Sequence, residues 1–219
     1  DANQLLLTRL EMLNHKVYSQ EAFHPIHTVQ SRMKAKKSIE RKLSKMNSNG
    51  SVQDAKDFLK DIAGIRVICY FVSDIQKLVN ALKKQNDLIV IQEKDYISRP
   101  KPNGYRSYHV IVGIPVYYMD AMEYYPVEIQ FRTISMDFWA SMEHRICYKK
   151  KPEHEEELRG AFLQYAGILR EIEESFEAFS EMPSRKEGES EEDKTENSKE
   201  NTEENIKINK SENIGEGQK

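Results

Sequence analysis

Val127-Glu128-Ile129-Gln130-Phe131-Arg132 alternates apolar and polar side chains at every step. On a strand that period of two buries Val127, Ile129 and Phe131 and aims Glu128, Gln130 and Arg132 at the opposite face. A carboxylate held on a rigid strand keeps its place better than one on a loop, so Glu128 is a candidate catalytic residue.

The flanking chain supplies the rest of a sheet. The strand is expected over Tyr124 to Phe131, with others at Tyr108 to Val116, Leu88 to Gln92 and Ile65 to Phe71, the last β-branched and aromatic enough to be central. Gly64 is expected as the turn before it. Helical spacing is read up to His24-Pro25, over Val29 to Met46, Asp54 to Ile62, Ile75 to Lys84, Ile134 to Tyr148 and Glu153 to Phe179. In the last, Leu158, Phe162, Tyr165, Ile168, Leu169, Ile172 and Phe176 form a stripe, read as core or a subunit interface. The fold class is α+β, a mixed sheet of about five strands flanked by helices.

The net charge of −3 over 219 residues hides a split, because Arg185 to Lys219 carries seven basic and eleven acidic residues. The stretch after Met182 has too little apolar surface to offset the entropy of ordering, so residues 1–182 are read as the catalytic domain and 183–219 as a disordered acidic tail. Cys69 and Cys147 have no metal spacing and suggest no disulfide. No run approaches the roughly 18 apolar residues of a membrane span. The expectation is a soluble chain, trimmed at its start, in a reducing cytoplasm.

Three polar clusters carry the chemistry. Between Gln30 and Gly50, seven basic residues face the single acid Glu40. On a helix Lys34, Ser38 and Lys42 would share a face, where stacked like charges repel unless an anion neutralises them. A triphosphate would do so, with Arg32 as a planar fork; a solvated face or one binding RNA phosphates is the plainer alternative. Asp61, expected at a helix end just before the central strand, could join Glu128 in holding magnesium, which takes one or two carboxylates plus substrate oxygens. The loop Lys101-Pro102-Asn103-Gly104-Tyr105-Arg106-Ser107 leads into a strand through His109. Tyr105 could stack on a base, Asn103 could read its edge, and Lys101, Arg106 and His109 could meet phosphate or ribose. No Walker loop is present.

Four motifs in this order resemble the synthetase domain of the RelA/SpoT homologue family, in particular its RelQ-like small alarmone synthetases, over roughly Pro25 to Lys151. Arg32-Met33-Lys34 with Ser38 and Lys42 resembles the family's donor-nucleotide helix, and Asp61-Ile62-Ala63-Gly64 its metal-binding segment. Lys101 to Ser107 with His109 is similar to its guanosine loop, and Val127-Glu128-Ile129-Gln130 to its catalytic strand. The resemblance implies a nucleotidyltransferase-like fold and transfer of pyrophosphate from ATP to the 3′-hydroxyl of GDP or GTP. Arg32, Lys34, Ser38 and Lys42 would hold ATP; Lys101, Asn103, Tyr105, His109 and Gln130 would hold GDP or GTP. Asp61 would bind Mg2+, and Glu128 would bind it or activate the hydroxyl.

No hydrolase pattern accompanies these motifs, so synthesis without degradation is expected. The resemblance also implies a homotetramer. Thr28 and Ser31 stand where many RelQ-like members carry an aromatic residue and a glycine tied to alarmone activation, so activation by pppGpp is expected to be weak or absent. Two other readings remain: a regulator that binds single-stranded RNA, and an enzyme that places pyrophosphate on the 3′ end of tRNA.

Overall fold

The polar and apolar faces read from Val127 to Arg132 are the two faces of a five-stranded mixed sheet in the computed structural model, which describes residues 1–21, 23–48, 50–147 and 155–182. The elements are α1 (Ala2–Glu21), β1 (Ile26–Met33), α2 (Lys36–Lys45), α3 (Val52–Phe58), β2 (Ala63–Cys69), α4 (Val72–Lys83), β3 (Ile89–Asp95), β4 (Tyr108–Tyr117), β5 (Met122–Thr133), α5 (Ile134–Cys147) and α6 (Glu155–Ser180). Strand order is β1-β2-β5-β4-β3, with β2 and β5 parallel and the other neighbours antiparallel. Asp1–Phe179 form one compact unit. The acidic stretch 183–219 and Tyr148 lie outside the described residues. No described helix is long and apolar enough to cross a membrane.

One face of the sheet is closed by α1 and α4. Leu6 and Leu10 of α1 and Ile75, Leu78, Val79 and Leu82 of α4 bury themselves against Ile65, Val67, Val110, Val112, Ile129 and Phe131. These side chains leave water on folding, which is the main favourable term. The opposite face keeps its polar groups, and α5, continuing directly from β5, places Asp137 against it.

Two expectations are corrected. Residues 29–46 are not one helix: Ile26–Met33 forms edge strand β1, and the helix starts at Lys36. Pairing with β2 over Thr28–Met33 gives this segment its backbone partners, and tertiary pairing outweighs its weak helical preference. Gly64 lies inside β2 rather than in a turn. Of the α6 stripe, read as core or a subunit interface, Phe162 is buried, whereas Tyr165, Ile168, Ile172 and Phe176 are exposed.

Candidate active site

Strand register fixes what stands beside Glu128. Arg32, Gly64 and Glu128 form one row across β1, β2 and β5, and Gln30, Arg66, Gln130 and His109 form the next. Gly64 has no side chain, so the floor between Arg32 and Glu128 is open. A Cβ there would lie 3.9 Å from both Cγ and Nε of Arg32. A cavity of about 110 Å³ opens at this point, bounded by Arg32, Arg66, Glu128 and Gln130. It adjoins a cavity of about 360 Å³ lined by Arg32, Arg66, Tyr105, Arg132, Glu143 and His144.

The basic cluster divides. The Lys34 backbone N–H donates to the Ile62 carbonyl at 2.8 Å, extending the β1–β2 pairing one residue and bringing Lys34 alongside Asp61. Lys34 Nζ and Lys42 Nζ both donate to Asp61 Oδ2, at 2.6 and 2.8 Å. Their meeting is therefore not a shared helix face, since Lys34 precedes α2, and the anion between them is Asp61 itself. Ser38 stays exposed on α2, as do Lys36, Lys37, Arg41 and Lys45. Asp61 lies in the connection after α3, not at the helix end. Burial pushes its carboxyl up, but the two lysine bonds outweigh that and hold it below the ordinary carboxylate value.

The loop before β4 is shaped by its own residues. Pro102 and Asn103 are the centre of a β-turn closed by Gly104 N–H to Lys101 carbonyl at 2.8 Å, with Lys101 N–H returning to the Tyr105 carbonyl at 3.1 Å. Gly104 has φ +91°, which favours glycine. Asn103 Oδ1 accepts from Tyr105 N–H at 3.2 Å, so half of its amide is spent on the turn. Its Nδ2 is 3.5 Å from Glu143 Oε1. Lys101 Nζ stands 4.8 Å from the ring centroids of both Tyr96 and Tyr105.

A polar chain joins this loop to Glu128. Tyr105 Oη lies 3.0 Å from His109 Nε2, and His109 Nδ1 lies 3.3 Å from Glu128 Oε1. Gln130 Nε2 donates to Glu128 Oε2 at 3.1 Å. The His109 bond is the largest influence on Glu128, and with Gln130 it outweighs burial and the nearby Asp61 charge, holding the carboxyl below its ordinary value. Glu128 is thus ionised and hydrogen-bonded at neutral pH.

Arg66, Arg132 and Asp137 are further site residues that the sequence reading left without a role. Arg132 donates through Nη2 to Tyr105 Oη at 3.0 Å and through Nη1 to Asp137 Oδ1 at 2.8 Å, and Arg66 Nη1 lies 3.3 Å from the same Asp137 oxygen. Burial, then repulsion from Arg132, lowers the Arg66 guanidinium below its usual range. Three arginines around one cavity, set against the two carboxylates of Asp137 and Glu143, leave a net positive charge suited to an anion. The alternation around Glu128 already placed Arg132 on this face; the meeting of Arg66 with it depends on strand register.

A divalent ion is tested by the donors present. Asp61 Oδ1 is buried without a hydrogen-bond partner among the described residues. The Asp61 charge acts on Glu128. No group of three or more His, Cys, Asp or Glu side chains that could hold an ion occurs among the described residues. Two carboxylates with the remaining positions left to water and phosphate oxygens fit magnesium.

A family model described as the region found in RelA / SpoT proteins matches residues 31–153. The GTP pyrophosphokinase YwaC of Bacillus subtilis (strain 168) is 41% identical over 181 residues, covering 78% of this chain and 86% of that protein. Among solved structures, small alarmone synthetase 1 from Bacillus subtilis bound to its product pppGpp superposes with a TM-score of 0.70 at 30% identity, over 82% of this chain and 90% of that one. Small alarmone synthetase 2 from Bacillus subtilis superposes at 0.67 with 38% identity, over 81% and 94%.

Proposed function

The chain belongs to the RelA/SpoT family, and from that membership we infer that its polar sheet face transfers pyrophosphate from ATP to the 3′-hydroxyl of GDP or GTP. The protein is a GTP pyrophosphokinase that makes the alarmones ppGpp and pppGpp. The observation that carries the residue assignment is the position of Glu128 between two clusters, Asp61 with Lys34 and Lys42 on one side and His109 with Tyr105 on the other.

The hydroxyl oxygen attacks the β-phosphorus of ATP, the bond from that phosphorus to the α,β-bridging oxygen breaks, and AMP leaves. Such transfers pass through a loose transition state in most analyses, so positioning and charge stabilisation dominate. Glu128, ionised and fixed by His109 and Gln130, accepts a hydrogen bond from the attacking hydroxyl and takes its proton. A carboxylate of lowered basicity suits orienting that hydroxyl better than stripping it beforehand. Arg32, Lys34 and Lys42 meet the donor triphosphate, with Arg66 beside Arg32 in the same cavities. Ser38 completes the donor set. Tyr105 stacks on guanine, with Lys101, Asn103, His109 and Gln130 around the acceptor. Asp61 and Glu128 would hold Mg2+, which would supply neutralisation of charge on the phosphates.

Labelled ATP with GDP and magnesium should give labelled ppGpp, and Glu128→Gln should give none. A wild-type protein that transfers no label to GMP, GDP or GTP overturns the reading; label on the 3′ end of tRNA instead would move the acceptor.

The exposed α6 residues Tyr165, Ile168, Ile172 and Phe176 form an apolar surface of the sort buried between subunits, which supports self-association, read here as a homotetramer. Ser31 Oγ accepts from Asn3 Nδ2 at 3.1 Å and Thr28 Oγ1 contacts its neighbour His27, so weak pppGpp activation stays part of the proposal. Light scattering and an assay with added pppGpp test both.

A further inference from the structure

Two contacts tie the Lys101–Ser107 loop to α6, and neither is required to form the turn itself. Gly104 is pressed against the helix: a Cβ added there would stand 2.7 Å from Ala166 Cβ. Two turns further along α6, Glu173 reaches toward the same loop, with Oε1 3.8 Å from Arg106 Nη2. Both side chains are deeply buried, Arg106 at 10% and Glu173 at 4% accessibility.

Glu173 also holds the end of β5. Its Oε2 accepts from Thr133 Oγ1 at 2.6 Å and from Ser135 Oγ. Glu128, Gln130 and Arg132 lie on that same strand. One carboxylate therefore spans from the strand carrying Glu128 to the loop carrying Tyr105. Glu173 Oε1, Arg106 Nε and Ser107 Oγ are all buried without hydrogen-bond partners among the described residues. A buried charge with so open a partnership adds little net stability, since taking ions from water costs more than a long contact returns. Its placement, not its energy, is what the fold gains.

Resting on the reading of Lys101–Ser107 as the acceptor loop, we propose that Glu173 is a positioning residue: acting through Arg106, it fixes Tyr105 relative to Glu128. The chemical class it serves is the guanosine nucleotide, and the donor site, built from β1, α2 and Asp61, is not attached to it.

The test uses the full chain with Glu173→Gln, Arg106→Gln and the double variant. GDP binding is measured by titration calorimetry, with AMPCPP plus magnesium as the donor-side control. Each single variant should weaken GDP about tenfold and leave AMPCPP within about twofold, and the double should fall little further than either single, as coupled residues do. Amide exchange across residues 101–107 in the free protein should rise in each variant. Equal losses for both nucleotides, unchanged GDP binding, or additive losses in the double overturn the proposal. Should Glu173→Gln not fold, Arg106→Lys, which keeps the charge and loses the planar fork, carries the same test. Neither measurement needs turnover, so an inactive wild type refutes the transferase reading while leaving this outcome readable.

Discussion

Lys34 Nζ stands 2.6 Å from Asp61 Oδ2, and that single oxygen also takes Lys42 Nζ at 2.8 Å. Two donor-side cations are therefore committed to the carboxylate proposed to hold the metal. If the ion draws Asp61 away, the lysines are released to phosphate, and ion and nucleotide strengthen each other's binding, as linkage requires. Asp61→Asn should bind AMPCPP without magnesium at least as tightly as wild type. It should lose most of the gain that wild type shows on adding magnesium, with turnover down at least about 100-fold. Calorimetry with and without magnesium decides it; an equal magnesium gain in both proteins contradicts the linkage.

Gly64 separates Arg32 from Glu128 on the sheet. Its built Cβ would make only ordinary contacts of 3.9 Å, so Gly64→Ala should fold with an unfolding temperature close to wild type. The methyl group still occupies the cleft floor that the reacting groups share. A loss of about tenfold or more in kcat/KM is expected, about 1.4 kcal/mol of transition-state binding, and more for Gly64→Val. Steady-state kinetics beside a thermal melt separates the two effects.

The difference between what was and was not legible beforehand lies in burial. β2, β4 and β5 are central, so their β-branched runs and alternation carried the signal, including the face on which Glu128 stands. β1 is an edge strand with most residues exposed, and Gln30-Ser31-Arg32 running into a basic helix reads more easily as helix. Lys34 and Lys42 do meet, though through a strand end and a helix that converge on Asp61 and not through a shared helix face. The Arg66–Asp137–Arg132 arrangement depends on register between β2 and β5 and on the start of α5, which local pattern does not contain. Lys101 to Ser107 reads as a loop from its own proline and glycine, because turn chemistry is local.

Gly104 is doubly constrained, by φ +91° and by the Ala166 methyl. Gly104→Ala should cost about 1–3 kcal/mol for the backbone alone, the usual range for a side chain held in a left-handed conformation. KM for GDP should rise while KM for ATP holds. Ala166→Gly, added to it, relieves the clash but not the backbone strain, so the double variant should recover only part of the loss.

Asp95 caps the turn before the same loop, accepting from Ile97 N–H, Ser98 N–H and Ser98 Oγ. Burial raises its carboxyl, but the Ser98 hydroxyl and N–H and the Ile97 N–H together lower it below the ordinary value. A group lowered on folding stabilises the fold above its unfolded value, near 3.9 for Asp, and that contribution disappears as pH falls through the folded value. Thermal unfolding of wild type should therefore weaken more steeply below about pH 4 than that of Asp95→Asn. Parallel curves for the two proteins would contradict the assignment.

Arg132 is the residue whose replacement discriminates charge from geometry. Its two terminal nitrogens serve different partners, Nη1 to Asp137 Oδ1 at 2.8 Å and Nη2 to Tyr105 Oη at 3.0 Å, with only 8% of the side chain accessible. Lysine keeps the charge but offers one nitrogen, which cannot hold both partners, and the chain from Tyr105 through His109 to Glu128 then loses its outer anchor. Arg132→Lys should lower kcat/KM for GDP by about 10- to 100-fold, the range for a lost charge-assisted bond in a buried site. AMPCPP binding should change little, because Arg66 and Arg32 remain. If charge alone mattered, Arg132→Lys would retain nearly full activity while Arg132→Gln would not, and kinetics of the two variants side by side tells these apart.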